Sequence, residues 1–147
     1  MKIKLILITC LVSLSTSVWA DRIKPEDAVE YRQSAFRLMG AQLSVMNPLH
    51  RRQAYDDEQF AYRAQVLSQL SALALEHFTE ESKGIKSRSH ARVWEEKERF
   101  TQSMQEFEAI TANLAETAAS GNKRATRDAF RQTLQSCKAC HDRYRLD

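Results

Sequence analysis

Phe130-Arg131-Gln132-Thr133-Leu134-Gln135-Ser136-Cys137-Lys138-Ala139-Cys140-His141-Asp142-Arg143-Tyr144 is the stretch on which the reading of this chain turns. Phe130, Leu134, Cys137, His141 and Tyr144 recur at steps of four and three. A helix built from this segment therefore presents a thiol and an imidazole on its apolar face. Within it, Cys137-Lys138-Ala139-Cys140-His141 is a Cys-x-x-Cys-His motif, the attachment signature of a c-type haem. Two thiols on one short segment can add across the two vinyl groups of a porphyrin. The histidine next to the second thiol reaches the iron from the same side. The motif assigns Cys137 and Cys140 to covalent attachment of one haem c, and His141 to axial ligation of its iron.

Three plainer readings compete. A structural zinc site needs four ligands. The third cysteine, Cys10, lies in a segment expected to be removed, and His50, His77 and His90 show no paired spacing. A thioredoxin-like redox pair belongs beside a strand in a βαβ pattern, and no such pattern is visible. A local disulfide leaves the adjoining histidine unexplained.

Working outward, Met1 to Ala20 reads as a secretory signal peptide. Lys2 and Lys4 give the positive start, Leu5 to Val12 the apolar run, and Val18-Trp19-Ala20 a cleavage site before Asp21. The run is too short to span a bilayer, so no membrane anchor is expected. An exported chain suits haem c, which is attached outside the bacterial cytoplasm; the expected location is the periplasm. Residues 21–147 are enough for one domain with one core. Loss of Lys2 and Lys4 lowers the formal charge from +3 to +1, and that balance gives no argument for a nucleic-acid partner.

Three glycines and two prolines punctuate the whole chain, and β-branched runs are nearly absent, so the composition predicts an all-α protein. The first helix opens at Pro25, with Glu26 and Asp27 complementing its dipole. It is expected to run to about Met46 and to stop before Pro48. Its seam is Val29, Arg32, Phe36, Met39, Leu43 and Met46. A second helix after Asp56-Asp57 carries Phe60, Ala64, Leu67, Leu70, Ala74 and Phe78. Glu80 to Arg92 is polar, contains Gly84 and reads as a loop. A third helix presents Trp94, Phe100, Met104, Phe107, Ile110 and Leu114 and ends at Ser120-Gly121-Asn122. The fourth runs from Lys123 to about Arg145. Four amphipathic helices with three connections predict an antiparallel four-helix bundle, with the haem inserted near one end.

Arg32 occupies an inward position between Val29 and Phe36. On its own it reads as an arginine laying its stem on the core with its head in water; with a haem in the bundle it becomes a bidentate counter-ion for a propionate. Met39, Met46 and Met104 read as core fillers, and Trp94 as core or as a wall beside the macrocycle.

The motif's place near the end of a four-helix chain is where a family enters. The sequence resembles the cytochrome c-prime family, the class II c-type cytochromes. The resemblance covers Lys24-Pro25-Glu26-Asp27-Ala28-Val29, Tyr31-Arg32-Gln33, Leu38-Met39, Val93-Trp94, Cys137-Lys138-Ala139-Cys140-His141-Asp142 and Tyr144-Arg145. It implies a left-handed bundle, commonly a homodimer built on the first two helices, and a high-spin, five-coordinate iron held by His141. Arg32 and Gln33 match the family's residues at the propionates, and Arg145 a basic residue at the proximal face. Phe36 falls at the distal position, where low-spin relatives carry a methionine ligand; a phenyl ring cannot ligate iron. The loop around Arg88 and His90 departs from the family's proline-containing version, so no haem contact is carried to it.

The expected function is binding of nitric oxide and carbon monoxide at a site hindered by Phe36, without enzymatic turnover. An apolar distal residue with no hydrogen-bond donor nearby on its helix does not favour bound dioxygen. The alternative is a one-electron carrier with a redox partner that the sequence does not identify. A peroxidase would want a distal acid–base residue, and the first helix supplies none beside Phe36.

Overall fold

The computed structural model describes residues 23–146. The signal-peptide reading of residues 1–20 lies outside that range. The described chain forms helices α1 (Pro25–Arg51), α2 (Glu58–Ala74), a short α3 (Arg92–Glu95), α4 (Lys97–Ala119) and α5 (Lys123–Tyr144). The four long helices make the expected all-α bundle, with α1 packed on α2, α2 on α4 and α4 on α5. Among the described residues there is no strand, only an isolated bridge between Ser89 and Arg145.

Local chemistry sets most of the boundaries. Pro25 opens α1, where a missing N–H costs nothing. Asp57 caps α2 by accepting from the Gln59 N–H, and Asn122 caps α5 by accepting from that of Ala125. Gly121, at φ +71°, makes the turn between α4 and α5. Phe60, Leu67, Leu114 and Phe130 are fully buried along the seams, each worth about 1.5–3 kcal/mol relative to exposure. Ser71 and Thr111 share a buried hydrogen bond of 2.8 Å across α2 and α4.

Three expectations need correction. The first helix does not stop before Pro48 but continues to Arg51. Proline forfeits one hydrogen bond there, while the extra turn buries Leu49. It also places His50 against Phe130, with ring centroids 5.1 Å apart, and within 2.6 Å of the Tyr55 hydroxyl. Phe78 does not belong to the second helix, which ends at Ala74. It lies in the following turns, packed on Phe36, Trp94 and Phe100. The third helix breaks at Glu96 (φ −121°, ψ 43°), leaving Trp94 on α3. The Glu96 carboxylate there accepts two hydrogen bonds from Arg143 of α5, at 2.8 and 2.6 Å. The polar 80–92 segment is mostly irregular, as expected, with a 3₁₀ turn at Glu80–Ser82.

Candidate haem site

A cavity of about 530 Å³ opens between α1 and α5 near the end of the bundle, within the size range of cofactor sites. Arg32, Gln33, Phe36 and Gly40 of α1 form one wall; Cys137, Cys140 and His141 of α5 form the other, with Arg145 just beyond the helix. Leu67, Met104 and Phe107 supply apolar surface from α2 and α4. All seven residues that the sequence singles out for haem therefore meet in one space: Arg32, Gln33, Phe36, Cys137, Cys140, His141 and Arg145.

Arg32 is the least ordinary of them. Its side chain is 1% exposed. Nη1 donates to the His77 carbonyl (3.0 Å) and to Ser82 Oγ (2.7 Å), and the guanidinium lies 4.6 Å from the Phe78 ring centroid. Nε and Nη2 are buried with no hydrogen-bond partner among the described residues. Burial lowers the guanidinium below its ordinary value. A buried charge without a counter-ion is expensive, and this one lines a cavity that fits a macrocycle with carboxylate arms. The two orphaned donors are what a propionate would satisfy. Gly40 points the same way. It sits inside α1, where glycine costs about 0.5–1 kcal/mol. A Cβ built there meets nothing within 4 Å, so open space adjoins this stretch of the cavity wall.

On the opposite wall, Cys137 and Cys140 are free thiols. Burial, and then the neighbouring Cys140, push the Cys137 thiol up to about 11; burial raises Cys140 as well. Reactive redox pairs need the reverse shift. Among the described residues no group of three or more His, Cys, Asp or Glu side chains is placed to hold a metal ion. Burial, followed by the charges of Arg145 and Arg88, lowers the His141 pKa and favours the neutral, ligating imidazole. An Arg145 N–H donates to His141 Nδ1 at 3.0 Å.

Some of the site was not visible in sequence. Arg37, Arg88 and Ser89 also line the cavity. The 88–90 segment is strapped to the chain end by His90 N–H to the Tyr144 carbonyl and Leu146 N–H to the Arg88 carbonyl, both 2.8 Å. Only the polarity of that loop hinted at it. Trp94 is not part of the wall. Its Nε1 donates to the Thr79 carbonyl (3.1 Å) and its ring lies 5.6 Å from the Arg32 guanidinium, so it supports Arg32 from behind.

An all-α bundle with two thiols and a histidine at this spacing, facing a buried arginine across a cavity, defines a haem protein of the c type. The chain belongs to the cytochrome c′ family. A family model described as Cytochrome C' matches residues 27–145. It is similar to cytochrome c′ of Alcaligenes xylosoxydans xylosoxydans, at 40% identity over 83% of this chain and 95% of that one. It is also similar to cytochrome c′ of Halomonas halodenitrificans, at 33% identity over 84% and 99%. Among solved structures, a nitric oxide complex of a cytochrome c prime variant from Alcaligenes xylosoxidans superposes with a TM-score of 0.78 at 38% identity, covering 86% of this chain and 99% of that one. A ferrous leucine-to-phenylalanine variant from the same organism gives 0.78 and 38%, with 86% and 100% covered. The family binds haem c covalently through cysteines, and Cys137 and Cys140 stand at the required spacing.

Proposed function

We propose that this protein is a periplasmic c-type cytochrome with a high-spin, five-coordinate haem iron that binds nitric oxide and carbon monoxide at a hindered distal site and can transfer electrons. The observation that carries this reading is the pairing of walls: His141 lines the cavity from α5, and the apolar ring of Phe36 lines it from α1. A relative's solved complex with nitric oxide adds support. The bound haem supplies a redox-active iron with a position for a diatomic ligand. Cys137 and Cys140 would anchor it, and His141 would ligate its iron. Ligation through Nε2 would leave the imidazole proton on Nδ1, and Arg145, itself a donor, would then have to give up its contact there. Arg32 would take a propionate through Nε and Nη2, with Gln33 beside it. Phe36 excludes water from the distal side and supplies no donor.

The protein binds and exchanges electrons rather than turning over a substrate. The exported leader expected for residues 1–20 supports the periplasm, and no helix among the described residues is long and apolar enough to cross a membrane. Exposed Leu38 and Val45 on α1, with Tyr62 and Leu73 on α2, support a homodimer built on those helices.

A second reading has its own observation. Met39 and Met104 also line the cavity, and a thioether can complete a low-spin iron suited to electron transfer. Absorption spectra of the ferrous protein with and without nitric oxide and carbon monoxide test the proposal. Distinct ligand-bound spectra are expected; a ferrous spectrum indifferent to both gases overturns it.

A further inference from the structure

The mature chain is close to neutral, but its charge is not evenly spread. Helix α5, which carries the attachment motif, holds six lysines and arginines against two aspartates. Arg124, Arg127, Arg131 and Lys138 are all exposed. At 3.6 residues per turn they fall within about 60° of one another on the helical wheel, on the flank next to His141. Arg127 meets Asp128 at 3.0 Å and Lys138 meets Asp142 at 2.6 Å; among the described residues Arg124 and Arg131 form no ion pair. The cavity mouth repeats the bias. Arg37, Arg88 and Arg145 line the cavity towards solvent, with Arg32 buried behind them, and no aspartate or glutamate lines it. The two propionates of a haem cannot neutralise four guanidinium groups, so the edge of the bound cofactor stays cationic.

We propose that the exposed α5 stripe and the arginines at the cavity mouth form the docking face for an acidic redox protein. This rests on the electron-transfer part of the reading above. From Arg124 to Lys138 the stripe runs about 21 Å at 1.5 Å per residue, a length suited to one side of a small protein–protein interface. The exposed neighbours of the cations on this face are Gln132, Gln135 and Ala139, with Asp128 and Asp142 among them, and Leu134 at its border is half-buried against the core. A membrane-lying helix needs Trp, Phe or Leu flanking its basic face, whereas a polar, charged face suits a steered and short-lived protein encounter. In that encounter the partner gives up one electron and ferric iron takes it, becoming ferrous; no proton or group moves.

A reduced plant-type [2Fe–2S] ferredoxin, an acidic one-electron donor, is the probe. Its second-order rate of reducing the ferric holoprotein is measured from about 10 mM to about 1 M salt, over which the Debye length falls from about 30 Å to about 3 Å. Calorimetric titration with oxidised ferredoxin reads complex formation without electron transfer. The native protein should lose at least about tenfold in rate and its binding heat as salt rises. The variant Arg124→Gln/Arg127→Gln/Arg131→Gln should start slower at low salt and lose most of that dependence, with its carbon monoxide spectrum unchanged. Identical salt profiles for variant and native protein, or a rate that rises with salt, overturn the proposal. Partition onto phosphatidylglycerol vesicles without any salt-sensitive reaction with ferredoxin assigns the stripe to lipid and also overturns it. Carbon monoxide binding by the same samples reads the distal site separately, so failure there refutes gas binding and leaves the docking face standing.

Discussion

Replacing Phe36 with alanine separates a gate from a packing residue. The ring is half-buried and meets Phe78 edge-on, with centroids 6.4 Å apart. Full burial makes Phe→Ala cost about 3–5 kcal/mol; half-burial against open cavity brings this to roughly 1.5–3 kcal/mol, which leaves an ordinary domain folded. The kinetic effect runs the other way. To admit a ligand the ring must leave its rotamer well, at about 0.5–1.5 kcal/mol for each off-rotamer torsion. It must also give up an aromatic contact worth about 0.5–1.5 kcal/mol. Only χ1 carries that cost, because χ2 of a phenyl ring is broad; one torsion and one contact make a gate of roughly 1–3 kcal/mol, or between about five-fold and a hundred-fold in rate. The assay is carbon monoxide association with the ferrous holoprotein after flash photolysis, preceded by urea unfolding to establish that the variant is folded. A folded Phe36→Ala variant with native carbon monoxide kinetics refutes the gate.

Phe36→Met should move the ferric iron toward six-coordinate, low-spin character, read by its absorption spectrum. Arg32→Met keeps the apolar stem but deletes the charge; the haem midpoint potential and its pH dependence should change while the helical circular dichroism persists, and an unchanged potential refutes the propionate role. Leu38→Glu should convert the expected homodimer to monomer in sedimentation. The Glu96–Arg143 pair predicts an acid limb. The Arg143 hydrogen bond holds the Glu96 carboxyl below its ordinary value. Its stabilisation is therefore complete above the unfolded pKa and is lost as pH falls through the lower folded one. Urea titrations from pH 6 to about pH 3 should show this loss in the native protein and a shallower loss in Glu96→Gln.

The haem-binding wall of α5 was legible because its motif and its apolar stripe coincide in one helix. Arg32 was legible as an inward charge, and its orphaned Nε and Nη2 supply the physical reason. The helix starts at Pro25, Glu58 and Lys123 followed from signals that act within a few residues: the proline itself, the Asp56-Asp57 pair and the Ser120-Gly121-Asn122 stop of the preceding helix. What sequence missed depends on distant partners. Pro48 stays helical because Phe130, on α5, packs against the next turn. The break at Glu96 contains neither glycine nor proline and is fixed by Arg143, 47 residues away. Arg88 and Ser89 reach the cavity through the strap to Tyr144 and Leu146, a pairing that no local periodicity encodes. Trp94 was expected as a possible wall, but the Thr79 carbonyl draws it behind Arg32.

The coordination of the ferric iron tests the central claim most directly. Resonance Raman and electron paramagnetic resonance spectra of the holoprotein at neutral pH should show a high-spin, five-coordinate iron with histidine as its one protein ligand. A low-spin, six-coordinate spectrum, lost when Met39 or Met104 is replaced by leucine, would contradict the open distal site.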